Sequence, residues 1–551
     1  MKKLLLLMIA ICLVSSTRGA VDPQKVKPVK NVILMVTDGT SISAVSLARW
    51  LQYYQNPDMP NLNLDPYLCG TVRTSCSDAP IGDSAPTTSC YVTGHMSRCS
   101  YVATFPPDRG KDNIDIIDGS KAYGPMATLL EAGKQLQGKS AGMVFTCQFP
   151  HATPADCSSH YYNRSAYDIL SEQQVHNGLD VVIGGGNNYL NQEQEEYLKN
   201  HGYSVFRNDK KGMETCTNNK MWALYGGVDM EYDIDRNPDQ QPSLAEMAKI
   251  ALDKLSKNKK GFFLLIEGSK VDYAAHSNDA AAIGPEFLAF DQAFGVALEF
   301  AKKDKNTVIV VVPDHGNSGL SIGCSRCGDY SHRSKDNLFG QLSKYKRSAG
   351  VLTNLVKEQP YEKLQDVLTQ YEGLELTADD VDRIVHAKDY DNSPIPKDAR
   401  KGGSLYSILK DILTLHTCLG WTTGGHTGEE VFLACYNPHD IRPLGMSTNV
   451  ELGNYLLACF GLYGKMDQFT DKIFTHHDVA FKGMDWSIEK PEKGFPVLTV
   501  KNPSNGKTMT IRAHGNLAKV DGKEIEIASV MPYVDRTDKF YVPNDMAKYL
   551  K

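Results

Sequence analysis

Carboxylates and histidines recur in this chain directly after apolar runs, a placement that suits a bound cation. Glu267-Gly-Ser-Lys-Val-Asp272-Tyr-Ala-Ala-His276 puts one acid at the end of the run Gly261 to Ile266. A second acid follows five residues on, and a His four beyond it. Asp272 and His276, at i and i+4, share one helix face and can hold one ion between them. Asp314-His315 closes the run Thr307 to Val312, and Asp38 closes Asn31 to Val36. His426 sits in Gly424-Gly-His-Thr-Gly428, beside the run Val431 to Tyr436. Any one of these residues alone reads as a loop cap or a satisfied core imidazole. Three strand ends that each deliver a carboxylate read as a shared site. Imidazole with carboxylate favours zinc; carboxylate with a hydroxyl favours magnesium.

A nucleophile and an anion clamp lie between these segments. In Gly82-Asp83-Ser84-Ala85-Pro86, Ser84 reads as the N-cap of a helix closed by Gly94, with Pro86 tolerated in the first turn. The same position gathers anions, because free N–H groups and the helix dipole converge there. Facing a cation, the Ser84 hydroxyl can ionise near neutral pH and attack phosphorus. His151-Ala-Thr153-Pro154 is expected to open a short helix that carries His160 and ends near Arg164. Thr153 offers a hydroxyl to a hard cation, and Arg164 a planar fork for phosphate oxygens.

These residues need a scaffold, and the apolar runs supply it. Uniformly apolar runs fit parallel strands covered by helices on both faces, and ligands bind beyond the carboxyl ends of such strands. Helical patterns over Ser41 to Tyr54, Gly124 to Leu136, Pro242 to Leu255 and Pro285 to Lys302 complete a doubly wound α/β design. The organisation expected is a leader at 1–20, a catalytic α/β domain over 21–317 and a helical insertion or cap at 318–420, over the sheet's edge. The α/β domain then returns at 421–466, and 467–551 forms a β-rich extension. Asp521-Gly522 marks a hairpin in that extension. In the leader, Lys2 and Lys3 precede the apolar run Leu4 to Val14 and small residues before Val21, the pattern of an export signal too short to span a membrane. Its removal takes away three positive charges, moving the net charge from −6 to −9, and leaves twelve of the thirteen cysteines. Disulfides are expected in an exported chain, with Cys324 and Cys327 read as one tight pair. No segment is basic enough to grip nucleic acid.

In order along the chain, Asp38-Gly39, Asp83-Ser84-Ala85, Thr153-Pro154 with Arg164, Glu267…Asp272…His276, Asp314-His315-Gly316 and His426-Thr427-Gly428 resemble the alkaline phosphatases. These are phosphomonoesterases that depend on zinc and magnesium and use a serine nucleophile. The resemblance implies that Ser84 becomes phosphorylated and Arg164 clamps the phosphoryl oxygens. It implies one zinc on Asp272, His276 and His426, and a second on Asp38, Asp314 and His315. It implies magnesium on Asp38, Thr153 and Glu267, with Asp83, His151 and Tyr273 near the substrate. It also implies a homodimer and an exported, periplasmic or extracellular bacterial enzyme acting on small phosphomonoesters. His151 occupies a position that is Asp in the enteric bacterial enzymes and His in the animal ones. Tyr273 stands where relatives commonly carry Lys or His, which predicts weaker phosphate retention, because Tyr is neutral until about pH 10.

Other patterns lead elsewhere. Gly133-Lys-Gln-Leu-Gln-Gly138-Lys139-Ser140 spells a P-loop, but a helix precedes it and a strand follows, the reverse of what a P-loop needs. Gly82-Asp83-Ser84 echoes metal-free GDSL esterases, which would leave the acids and histidines unexplained. Phosphodiesterase- or sulfatase-like members of the same superfamily remain alternatives. Asn163-Arg164-Ser165 fits a glycosylation acceptor that is expected to stay unused, since a glycan there would crowd Arg164.

Overall fold

A computed structural model describes residues 21–551; the leader expected at 1–20 lies outside them. Ten strands form the central sheet. In chain order they are β1 (Asn31–Thr37), β2 (Leu68–Arg73), β3 (Ser140–Gln148), β4 (Val181–Gly185) and β5 (Ser204–Arg207), then β6 (Met221–Tyr225), β7 (Phe262–Gly268), β8 (Thr307–Val312), β9 (Val431–Tyr436) and β10 (Gly445–Thr448). The spatial order is β10-β2-β9-β8-β1-β7-β3-β4-β6-β5. Neighbours run parallel except at β9, which is antiparallel to both β2 and β8.

Every residue of β1, β7 and β8 is buried, as their unbroken apolar sequences require. Their side chains alternate between two cores. Ile33 and Met35 of β1 face the helices α1 (Ile42–Gln55), α5 (Leu244–Leu255) and α7 (Ile283–Asp304). Val32, Leu34 and Val36 face α2 (Ser84–Thr93) and α3 (Leu129–Gln137). Each such buried side chain contributes roughly 1.5–3 kcal/mol, so the strand ends are a rigid platform. Two short helices, α4 (Ala152–Asp156) and α6 (Lys270–His276), follow β3 and β7 directly.

Several local expectations shift. Helix α3 starts at Leu129, not near Gly124, because Thr128 and Glu131 form a reciprocal capping box; Gly138, in the left-handed region, ends it. The P-loop spelling therefore falls on a helix end and the first residue of β3. Residues 318–420 are mostly helical and rest on the outer side of the α1–α7 layer, with Phe339 stacked on Trp50, so the expected position over a sheet edge gives way to a helix face. The tight Cys324–Cys327 pair is also corrected: Cys327 bonds to Cys418, and Cys324 is free. Antiparallel pairing of Ser321–Ile322 with Leu419–Gly420 sets Cys418 beside Cys327, whereas Cys324 and Cys327 only flank a single 3-10 turn. The bond thereby ties the two ends of the 318–420 region together.

Beyond residue 480 an antiparallel meander runs through β11 (Asp485–Glu489), β12 (Val497–Lys501), β13 (Thr508–Arg512), β14 (Leu517–Val520) and β15 (Lys523–Glu526). It has its own core around Leu498, Val500, Met509 and Ile511. Asp521 and Gly522 both take positive φ in the β14–β15 turn, the hairpin their sequence predicts.

Candidate active site

Three neighbouring strands, β7, β1 and β8, bring their carboxyl ends together. The turn after β1 delivers Asp38, β7 delivers Glu267, and β8 runs on to Asp314 and His315; all four side chains are fully buried. Gly39 follows Asp38 at φ +59°, and a Cβ there would lie 2.0 Å from Asp272 Oδ1. Only glycine permits that approach. Its backbone N–H donates to Asp314 Oδ1 at 2.9 Å, which locks the β1 and β8 acids in register.

Two groups of ligand-type side chains result. Asp38, Asp314 and His315 form a buried group, with His315 Nε2 3.4 Å from Asp38 Oδ1 and 3.7 Å from Asp314 Oδ2. Asp272, His276 and His426 form an open one, with His276 Nε2 3.4 Å from Asp272 Oδ2 and 3.2 Å from His426 Nε2. The rings of His315 and His426 stack at 3.6 Å, joining the two groups. A third group unites Glu267, His151 and Cys147, whose thiol lies 3.5 Å from Glu267 Oε2. Thr153, from α4, is fully buried nearby in the fold.

Donor chemistry tests whether cations fit. His276 Nδ1 meets the Gly424 carbonyl at 2.7 Å, His426 Nδ1 the Gly82 carbonyl at 2.8 Å, and His315 Nδ1 the Gly316 carbonyl at 3.1 Å. A carbonyl only accepts, so each Nδ1 donates and each Nε2 is left to face the acids. An Nε2 whose Nδ1 donates to a carbonyl is oriented to ligate, and those of His276 and His426 lie 3.2 Å apart, close enough to share one cation. Moreover, Asp38 Oδ2, Asp314 Oδ2, Thr153 Oγ1 and Glu267 Oε1 are buried without any hydrogen-bond partner among the described residues. Buried polar atoms are otherwise nearly always paired. Burial, reinforced by the neighbouring acids, holds the Asp38 carboxyl well above the usual carboxylate range, and burial pushes Glu267 up to about 8. These are the marks of donors arranged for divalent cations, and the residues present fit such ions.

Ser84 faces this edge. Its Oγ lies 3.2 Å from His315 Nε2, 3.5 Å from Asp38 Oδ1 and 3.5 Å from Arg164 Nη1. Asp83, not Ser84, is the N-cap of α2, and Ser84 is its first helical residue. Asp83 makes no side-chain cap bond because its carboxylate is committed to the Arg164 guanidinium and to the Ser100 N–H. Burial opposes ionisation of Asp83, but Arg164, the Ser100 N–H and the nearby imidazoles together outweigh it and hold the carboxyl below its ordinary range. Arg164 Nη2 also meets His151 Nε2 at 3.0 Å, so burial and the adjacent guanidinium hold that imidazole neutral, its pKa lowered to about 3. The short α4 ends at Asp156, so neither His160 nor Arg164 lies on it as expected. His160 is buried against Glu131 at 3.0 Å, a structural pair, and Arg164 comes from the loop that follows.

An open pocket of about 440 Å³ is lined by Ser84, Arg164, Asp272, His276, Tyr273 and Tyr232. Tyr273 points its hydroxyl at Gln148 Oε1, 3.2 Å away, and burial raises its pKa, so the phenol carries no charge here. Tyr232 and Asn317 escaped the sequence reading. Asn317 Nδ2 donates to Asp272 Oδ1 at 2.7 Å and fixes that carboxylate; its place two residues after His315 was the available signal. Tyr232 lies in an irregular stretch after β6 and carries no signal of its own.

A mostly parallel doubly wound sheet that gathers acids, imidazoles and a helix-borne serine at one edge marks a candidate metal-dependent hydrolase site. Comparison with known proteins narrows the class. The family profile described as alkaline phosphatase matches residues 29–462, and the chain belongs to that family of phosphoric monoester hydrolases. Alkaline phosphatase 4 of Bacillus subtilis (strain 168) is 30% identical over 454 residues, 80% of this chain and 90% of the relative. The cold-active alkaline phosphatase from a psychrophilic Shewanella sp. superposes with TM-score 0.67 at 25% identity, covering 78% of this chain and 99% of that one. An alkaline phosphatase mutant from TAB5, with Mg bound in its M3 site, shares the fold at TM-score 0.54 and 21% identity over 79% of this chain and 99% of that one. The profile stops before the C-terminal meander.

Proposed function

We propose that this chain hydrolyses small phosphomonoesters through a covalent phosphoserine on Ser84, in a site that takes two zinc ions and one magnesium. The observation that carries the reading is the set of orphaned buried oxygens of Asp38, Asp314, Thr153 and Glu267 beside Ser84. One zinc is assigned to Asp272, His276 and His426, the other to Asp38, Asp314 and His315, and magnesium to Asp38, Thr153 and Glu267. Bound there, the cations would ease ionisation of the serine hydroxyl and of water, and would neutralise phosphoryl oxygens.

The protein groups do the rest. Arg164, held in place by Asp83 and His151, forks two phosphoryl oxygens and orients phosphorus toward Ser84 Oγ. The Ser84 Oγ–P bond forms as the bond from phosphorus to the leaving oxygen breaks, and the hydroxyl proton ends on the departing alcohol. Water then attacks phosphorus as the Oγ–P bond breaks, releasing inorganic phosphate and giving one of its protons to Ser84. Two in-line displacements give net retention at phosphorus. The pocket is open on the side of His276 and Tyr273, where the alcohol departs.

A metal-free serine esterase is the rival, because Ser84 Oγ and His315 Nε2 are within hydrogen-bond reach. Against it, His315 Nδ1 donates to a backbone carbonyl, not to a carboxylate, and the family match lies elsewhere. Turnover of p-nitrophenyl phosphate is expected to vanish on complete chelation and return with Zn²⁺ and Mg²⁺. Full activity after metal removal would overturn the reading. Diester and sulfate ester turnover is expected to remain minor beside it.

The exported location and the homodimer belong to the same proposal. Export is supported by the leader pattern and by the Cys327–Cys418 disulfide, a bond that persists in oxidising compartments. No described helix is long and apolar enough to cross a membrane.

A further inference from the structure

Two cysteines flank the Ser84 helix and meet behind it. Cys76, buried, lies in the irregular stretch before α2; Cys99, half-buried, lies in the stretch after it. Their sulfurs are 2.7 Å apart, although neither is joined to another cysteine among the described residues. The two stretches are held side by side independently of the thiols. Ser77 N–H donates to the Ser97 carbonyl at 2.8 Å, the Asp78 carboxylate accepts from Arg98 Nε at 2.7 Å, and Cys99 N–H donates to Asp78 at 3.2 Å. The folded chain therefore presents the pair without further rearrangement.

We propose that Cys76 and Cys99 form a second disulfide in the mature protein, and that this bond positions Arg164. In its formation each thiol gives up a proton, and together they give two electrons to the disulfide of an oxidant, which is reduced to two thiols; one S–S bond forms as another breaks. The alternative occupant, a cation on Cys76, Cys99 and Asp78, fits poorly. Two thiolates on one tetrahedral zinc sit about 3.8 Å apart, given Zn–S bonds of about 2.3 Å, and Asp78 is already paired with Arg98.

The bond would act on the site one residue further on. Ser100 adjoins Cys99; its N–H donates to Asp83 at 2.9 Å and its carbonyl accepts from the Arg164 N–H at 2.8 Å. Ser100 thus anchors both partners of the ion pair that aims the guanidinium. A bridge at residues 76 and 99 closes the loop that contains Ser84 and holds Ser100 against it. This second step rests on the proposed role of Arg164; the bond itself does not. Cys76 and Cys99 are positioning residues in this account.

Peptide mapping of the full-length protein, equilibrated in a glutathione redox buffer and alkylated without reduction, tests the bond. The expected product joins the peptides bearing Cys76 and Cys99, with fragmentation excluding Cys90, alongside Cys327–Cys418. Free, alkylated Cys76 and Cys99 overturn the proposal, whether Cys327–Cys418 is bridged or open and whether or not zinc is retained. For the positioning step, Cys99→Ser is expected to raise KM for p-nitrophenyl phosphate several-fold with kcat within about twofold. An unchanged KM overturns that step. Phosphatase activity of the same wild-type sample is read separately, so a failed bond and a failed function are distinguishable.

Discussion

The two ligand groups beside Ser84 use the same residue types in opposite environments. Asp38, Asp314 and His315 have no exposed side-chain surface, while His276 is 40% exposed and His426 half-buried. The buried group is built on strand ends whose backbone is fixed by the sheet. The open group is built on α6 and on the Gly424–Gly428 loop, and it is steadied from behind by Asn317 and by backbone carbonyls. The difference assigns them different work. Under the proposed function, a cation in the buried group would have no easy exit and would serve Ser84, whereas one in the open group could exchange and would serve the departing alcohol and the incoming water.

That contrast is most exposed to substitution in the buried group. Asp314→Asn is expected to lower p-nitrophenyl phosphate turnover about 10³-fold or more, with no recovery in excess Zn²⁺. Recovery on adding zinc would erase the distinction between the groups. His276→Ala in the open group is expected to weaken zinc affinity about 10–100-fold and to regain much of its turnover at millimolar Zn²⁺. Irreversible loss there would contradict an exchangeable site.

A third test uses stability instead of turnover. Glu267 in the folded chain keeps its proton up to about pH 8 because it is buried, whereas in the unfolded chain it ionises near 4.5. Between those values the folded state binds the extra proton, so stability of the metal-free protein falls as pH rises, on the order of 1 kcal/mol per pH unit from this group. Melting temperatures of chelated protein from pH 5 to 8 should decline, and Glu267→Gln or saturating Mg²⁺ should flatten the slope. A slope unchanged by Glu267→Gln would remove Glu267 as its source.

The smallest expected effect concerns product release. Tyr273 brings no charge to the pocket and spends its hydroxyl on Gln148. Tyr273→Lys adds a cation near the phosphate position and should tighten phosphate inhibition about fivefold, equivalent to about 1 kcal/mol. Equal or weaker inhibition in the variant would contradict the role given to this residue.

Much of this site was legible in sequence because it is assembled from strand ends. A run such as Thr307 to Val312 announces a buried parallel strand, and the residue after it must lie at the carboxyl edge. Three such runs place Asp38, Glu267 and Asp314 together without any knowledge of the strand order. What sequence could not reveal depends on chain paths between elements. The partner of Cys327 is 91 positions away and is set by pairing of two short strands. That the Asp83 carboxylate holds Arg164 instead of capping α2 depends on where the loop after α4 returns. Tyr232 reaches the pocket through an irregular segment with no periodicity to read. The meander was visible as alternation and as Asp521-Gly522, yet its core is its own and says nothing of the site.

The central claim is that phosphorus passes through Ser84 within an intact cation site. Acid quenching of the metal-loaded enzyme during turnover of ³²P-labelled phosphomonoester measures it most directly, paired with Ser84→Ala and metal analysis of both proteins. The account predicts label on the peptide that begins near Thr74 and carries Ser84, and none in Ser84→Ala. That variant should keep its zinc while losing turnover. Label elsewhere in the chain, or a Ser84→Ala protein that still turns over at the wild-type rate, would contradict it.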